Sequence, residues 1–246
     1  RSLAWFFLGD AVTSLAAVVL IAVFVREAKP TGEQVRLSLA EDAGPERAEE
    51  GSLLAVLGRR PFLVAFLFIN IPLSLAYAQT HFSLPLQLTG LFGERGAQTF
   101  GMLVSANAVV VVALTTVVLH LSDRVPAALA VALSGVFYAV GFGMIGLVRT
   151  VPWLLASTLV WTVGEILGAT GTGAYVANHS PMTHRGRINS VAPIIMFSGQ
   201  AAGPPLAGWV IERFSLALVW PATFVLGLAG AVLMAVLHFR ERRRSA

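Results

Sequence analysis

Apolar residues run through this chain in long blocks separated by short polar patches. Seven blocks are long enough to be helices: 3–25, 61–86, 97–120, 126–148, 151–177, 188–211 and 216–239. Each approaches or exceeds the roughly 20 apolar residues needed to cross a hydrocarbon layer about 30 Å thick. Only helices and closed barrels satisfy their backbone in lipid, and uninterrupted apolar runs of this length are helical rather than alternating. The pattern predicts an all-α fold, a polytopic membrane helix bundle with seven transmembrane helices. The first block is too long for a signal-peptide core of about 7 to 15 residues and reads as a span.

The polar patches organise these spans. Residues 26–60 form the only long connection, with Pro30, Gly32, Gly44, Pro45 and the acidic residues Glu46, Glu49 and Glu50. They read as a solvated cytoplasmic linker, with Gly51 to Leu57 suited to a short helix lying in the interface. The chain thus divides into a helix at 1–25, the linker at 26–60, a six-helix bundle at 61–239 and a basic tail at 240–246. The turns at 149–152 and 212–215 are short enough to force antiparallel neighbours. Lys and Arg lie thirteen on one side of the predicted spans and four on the other. By the positive-inside rule the N-terminus is outside and the C-terminus cytoplasmic. The expected location is the plasma membrane, in a bacterium the inner membrane.

Composition narrows the chemistry. Hydrophobic residues make up 56% and charged residues 12% of the chain, against about 25% charged in a soluble domain. The basic residues sit at the ends of apolar blocks, which fits membrane orientation and not nucleic acid. There is no cysteine, which removes disulfides, thiolate metal sites and cysteine nucleophiles. The glycines of GATGTG, Gly168 to Gly173, have the order of no nucleotide loop, and no strand precedes them. Neither a metal cluster nor a catalytic triad stands out, so no cofactor and no enzyme activity are expected. Seven spans with an outer N-terminus also suit a retinal protein or a receptor. The single lysine, Lys29, lies at the inner end of the first span, where it cannot form a Schiff base in the last. A receptor is the remote alternative: Asp123-Arg124 follows the third span, but the seventh has no Asn-Pro-x-x-Tyr turn.

Glu165 is the only Asp, Glu, Lys or Arg between Arg149 and Arg185. At 100° per residue it shares a helix face with Thr158, Trp161, Thr162 and Thr172, while Gly164, Gly168 and Gly171 form an adjacent stripe. The stripe allows a second helix to come close. An acid at the bilayer centre costs about 3 kcal/mol on insertion scales, so it faces the protein interior. Two readings remain open. In one, Glu165 lines a cavity and binds a proton or a cationic substrate group; in the other, it bonds across a helix interface and fixes packing. Tyr77, Gln79 and His81 in the second span, with Asn107 and Gln200, are further candidate substrate contacts or interhelical bonds. Pro72 and Pro85 interrupt the second span and permit it to bend.

Several motifs then point in one direction. LHLSDR, residues 119–124, resembles the Gly-x-Leu-Ala-Asp-Arg signature of the major facilitator superfamily, with Leu121, Asp123 and Arg124 matching and Leu119 in place of the leading glycine. SPMTHRGRINS, residues 180–190, is similar to the loop before the eleventh helix of that family. GQAAGPPLAG, residues 199–208, resembles the Gly-Pro-rich middle of that helix, and WTVGEIL, residues 161–167, looks like the tenth helix of multidrug-efflux members. The resemblance implies the C-terminal six-helix half of such a transporter plus the preceding helix, with the N-terminal half as missing partner. It implies proton-coupled efflux, by antiport, of small amphipathic or drug-like molecules through alternating access, powered by the proton gradient; the alternative is uptake of a sugar, peptide or metabolite. It also implies a cytoplasmic gate of Asp123, Arg124, Arg185 and Arg187, the alternative being that these arginines only orient the protein. The lipid bilayer and a small-molecule substrate are the remaining partners.

Overall fold

The computed structural model describes residues 2–24, 31–33, 47–122 and 124–245. Among these, the regular elements are all helices, and no strand occurs. The chain divides into two compact units, Arg1–Asp42 and Ala43–Ala246. The first contains α1, Ser2–Phe24. Its hydroxyl at Thr13 donates back to the carbonyls of Gly9 and Asp10 at 3.1 and 3.0 Å, so this polar group is satisfied within the helix. Residues 25–30 and 34–46, most of the expected linker, lie outside the described residues.

The second unit holds α2 (Leu53–Gly58), α3 (Pro61–Ala78), α4 (Ser83–Phe92), α5 (Gly96–Ser122) and α6 (Ala127–Leu147). It continues with α7 (Val151–His179), α8 (Arg185–Met196), α9 (Ser198–Arg213) and α10 (Val219–Ser245). By length and apolarity, the described residues contain six stretches able to cross a bilayer. One of them, Pro61–Ser122, spans 62 residues, about 90 Å if it were one straight helix. It folds back instead. Gly93 takes φ +56° at the end of α4, a conformation that suits glycine, and α4 packs against α5. The second and third predicted helices both lie within this stretch.

Two predicted helices are interrupted. The second, 61–86, stops at Ala78 and resumes at Ser83. Pro85 has no amide to offer the carbonyl of His81, and its ring crowds that carbonyl, which fits the break here; Pro72, the other expected interruption, is accommodated inside α3. The chain uses tighter bonds there, from the amides of Gln79, Thr80 and His81 to carbonyls three residues back. The sixth, 188–211, begins earlier, at Arg185, and breaks at Phe197. At that break the Ser74 hydroxyl of α3 donates to the Met196 carbonyl at 2.6 Å, a partner supplied by another helix.

α6 lies between α7 and α10, and small residues set both contacts. A Cβ on Gly135 would come within 2.8 Å of the Gly227 carbonyl oxygen, and one on Gly227 within 2.8 Å of the Ala139 amide. On the other side, a Cβ on Gly164 or Gly171 of α7 would meet the carbonyls of Ser134 and Ala127 at 3.0 and 2.9 Å. The glycine stripe of α7 thus faces α6, and the Ser157 hydroxyl adds a bond to the Gly141 carbonyl at 2.7 Å. α3 packs on α9 and α10, and α5 packs on α7. Because the atoms facing Gly227 are backbone, Gly227→Val should destabilise the bundle by about 1–3 kcal/mol. Gly173→Ala, which meets nothing within 4 Å, should leave thermal unfolding in detergent nearly unchanged.

Candidate functional site

Glu165 is the central residue of α7, with fourteen residues on either side, or about 21 Å of helix each way. Two other helices reach it with hydrogen bonds. The Tyr77 hydroxyl of α3 donates to Oε1 at 2.7 Å, and the Asn107 carboxamide of α5 donates to Oε2 at 2.8 Å. The same carboxamide donates to Thr162 Oγ1 at 2.9 Å. Thr162 in turn donates to the Thr158 carbonyl at 2.7 Å, and Thr158 to the Leu154 carbonyl at 3.0 Å. Both carboxylate oxygens are therefore engaged, and among the described residues their hydrogen-bond donors are a phenol and an amide, neither of them charged.

An aromatic cluster begins at Tyr77, beside this carboxylate. Tyr77 meets Trp161 edge-on with centroids 6.2 Å apart, and Tyr138 at 5.8 Å; Phe142 stacks on both Tyr138 and Trp161, at 5.5 and 5.7 Å. Such rings present a negative face that attracts cations. Beside them opens a cavity of about 390 Å³ whose wall includes Glu165, Tyr77, Tyr138, Asn70, Phe197 and Gln200. The break between α8 and α9 forms one side of it through Met196 and Phe197. The arrangement can hold a proton on the carboxylate, or a cationic group against the carboxylate and rings.

The candidate residues fall into two groups. Glu165, Tyr77, Asn107, Thr162 and Trp161 come together, and Gln200 and Thr172 share the cavity with Glu165. Thr158 is buried and bonded within α7. Gln79 is buried away from the cavity, bonding the Leu75 carbonyl at 3.2 Å and accepting from Ser83 at 2.6 Å. His81 is exposed, with its ring edge-on to Tyr77 at 6.1 Å.

A family model, that of the Major Facilitator Superfamily, matches residues 75–246. The chain belongs to the Major Facilitator Superfamily. No curated protein sequence matches it. Members of this superfamily are secondary membrane transporters and not enzymes, so the chain is a multi-pass membrane protein whose partners are the bilayer and a small-molecule substrate. The matched region begins just before Tyr77 and contains all the residues that converge on Glu165.

Of the four gate residues expected from the superfamily motifs, Asp123 lies outside the described residues. Arg124 and Arg187 are exposed, and Arg185 is half-buried at the start of α8. At the same end of the bundle lie contacts that no motif announced. Arg60 donates to Glu49 Oε1 from Nε at 3.0 Å and from Nη2 at 2.6 Å, and to the His179 carbonyl at 2.9 Å. Thr183 Oγ1 donates to the Glu49 carbonyl at 2.7 Å, and the Glu49 amide donates back at 3.1 Å. His184 Nε2 lies 3.1 Å from the Gly51 carbonyl. Residues 49–51, expected within a solvated linker, are thus fastened to the loop between α7 and α8.

Tyr138 and Phe142 are site residues that the sequence pattern alone does not single out. Tyrosine occurs only three times in the chain, and two of the three hydroxyls donate to a glutamate, Tyr77 to Glu165 and Tyr175 to Glu241. A scarce polar aromatic inside an apolar block is the signal that could have found Tyr138. A double-mutant cycle with Asn107→Ala and Glu165→Gln should return a coupling of about 1.5–3 kcal/mol, as for a hydrogen bond to a charged group. Chemical denaturation in detergent measures it.

Proposed function

We propose that this transporter exports small amphipathic, drug-like molecules in exchange for protons, by alternating access in the plasma membrane. The observation that carries the reading is Glu165 itself. It sits at mid-helix on a cavity wall, held by neutral donors from α3 and α5 and flanked by aromatic rings. A carboxylate so placed is a group on which a proton can ride through the membrane interior. It suits a cationic ligand as well, because its own hydrogen-bond donors are neutral and leave its charge uncompensated. The two outcomes exclude each other at one group, which is the competition an exchange of protons for substrate requires.

The break between α8 and α9 supports alternating access, since the cavity wall it forms contains Phe197 outside regular helix. Exchanger function places the energy source in the proton gradient and needs no cofactor. The bias of basic residues supports a cytoplasmic C-terminus.

Glu165→Gln in the full-length protein should abolish proton-driven flux in proteoliposomes while expression stays normal; undiminished flux across an imposed pH gradient would overturn the reading. Orientation is open to a direct check, because the chain has no cysteine. Arg243→Cys should react with a membrane-impermeant maleimide only after cells are permeabilised, and Arg149→Cys in intact cells.

A further inference from the structure

The cavity at Glu165 has two kinds of polar wall. One kind is occupied within the protein: Asn70, Ser74 and Ser134 each donate to a backbone carbonyl, and Tyr77 donates to Glu165. The other kind is not. The Tyr138 hydroxyl of α6, the Thr172 hydroxyl of α7 and the Gln200 carboxamide of α9 line the same cavity, and among the described residues none of them has a hydrogen-bond partner. Nor are they sealed in, as the indole nitrogen of Trp161 is, with neither a partner nor access for water. They open on the cavity itself.

Thr172 is the most informative of the three. A threonine inside a helix commonly turns its hydroxyl back to the carbonyl one turn earlier, and on α7 Thr158, Thr162 and Thr170 all do so. Thr172 leaves its hydroxyl to the cavity instead. Tyr138 is likewise set apart, as the one tyrosine of three whose hydroxyl is not committed to a glutamate.

These groups stand away from the carboxylate in a definite direction. Thr172 lies seven residues beyond Glu165, about two turns and 10 Å along nearly the same face of α7. The Tyr138 hydroxyl falls between them: a Cβ on Gly168, the next turn after Glu165, would stand 3.7 Å from it. The cavity therefore runs from an acid with neutral donors to uncharged groups with no partner. A phenol, an alcohol and a carboxamide each donate and accept, and none carries charge. They complement a hydroxyl, carbonyl or amide on a ligand, and they offer nothing to a second ion.

We infer that this cavity selects amphipathic cations that carry, beyond the charged group, a neutral hydrogen-bonding group, received by Tyr138, Thr172 and Gln200 while the cation lies against Glu165. The inference rests on the exchange reading above, in which Glu165 takes the cation in turn with a proton. Glu165 then reads charge, and the three uncharged residues set specificity among cations.

The test uses the full-length protein in a neutral detergent, with thermal unfolding followed over a ligand titration to give apparent affinities. The probes are tyramine and para-methylphenethylamine, two primary ammonium ions of nearly one shape, with a hydroxyl or a methyl across the ring from the charge. Apolar transfer alone favours the methyl compound. Tyramine should nevertheless bind about threefold to tenfold more tightly, as for one hydrogen bond gained net of water. Tyr138→Phe combined with Thr172→Val should remove that preference and leave the affinity for para-methylphenethylamine unchanged, whereas a loss of packing would weaken both. If the double variant fails to fold, Thr172→Val alone, which breaks no bond within the protein, should still narrow the preference. Equal affinities, a preference for the methyl compound, no stabilisation by either amine, or a preference that outlasts both hydroxyls overturns the inference. Glu165→Gln separates this outcome from the exchange reading: it should weaken both amines alike and keep the preference for tyramine. If it changes neither affinity, the cation is not held at Glu165 and the exchange reading fails with the inference; if it weakens both amines but the wild type shows no preference, the inference alone fails.

Discussion

The bundle depends on how closely α6 can lie against its two neighbours. In lipid there is no hydrophobic force to press helices together, so association rests on packing and on interhelical hydrogen bonds. Glycines on both sides of α6 let backbone meet backbone, at Gly135 and Gly227 toward α10 and at Gly164 and Gly171 toward α7. This contact sets the position of α7 and therefore of Glu165. It also sets Tyr138 and Phe142, which α6 contributes to the rings around that carboxylate.

Several polar groups are answered by a second helix. Within the membrane-spanning part, Ser74 answers the carbonyl at the α8–α9 break, Ser157 answers Gly141, and Tyr77 and Asn107 answer Glu165. At the end that carries the C-terminus, ionic contacts take over, with Arg60 on Glu49 and His179 on Glu241. His179 belongs to both networks there: its carbonyl accepts from Arg60 and its ring meets Glu241. The segment ahead of α3, the loop after α7 and the last turns of α10 are thereby joined through one residue.

Much of this is legible in the residues, and the boundary of legibility has a physical cause. The all-helical membrane fold and the place of Glu165 inside an apolar helix follow from local quantities, apolar run length and the 100° turn of a helix, which a sequence carries directly. The partnership of Glu165 with Asn107 joins positions 58 residues apart and depends on α5 packing on α7, which no periodicity encodes. Pro85 is visible as an interruption, yet at the break before Phe197 the free Met196 carbonyl is met by Ser74 from another helix. Glu49 belongs to an acidic cluster, and neighbouring acids are usually solvated; its bond to Arg60 crosses eleven positions that share no helix.

One consequence of the Glu165 site concerns how easily it empties. Its oxygens already have donors of the protein's own, Tyr77 and Asn107, in the absence of any ligand. In the proposed exchange, a departing guest leaves behind a carboxylate that its hosts can solvate at once, with no interval of bare charge in the cavity. Under that reading the site forgoes some grip on its cargo and gains ease of release.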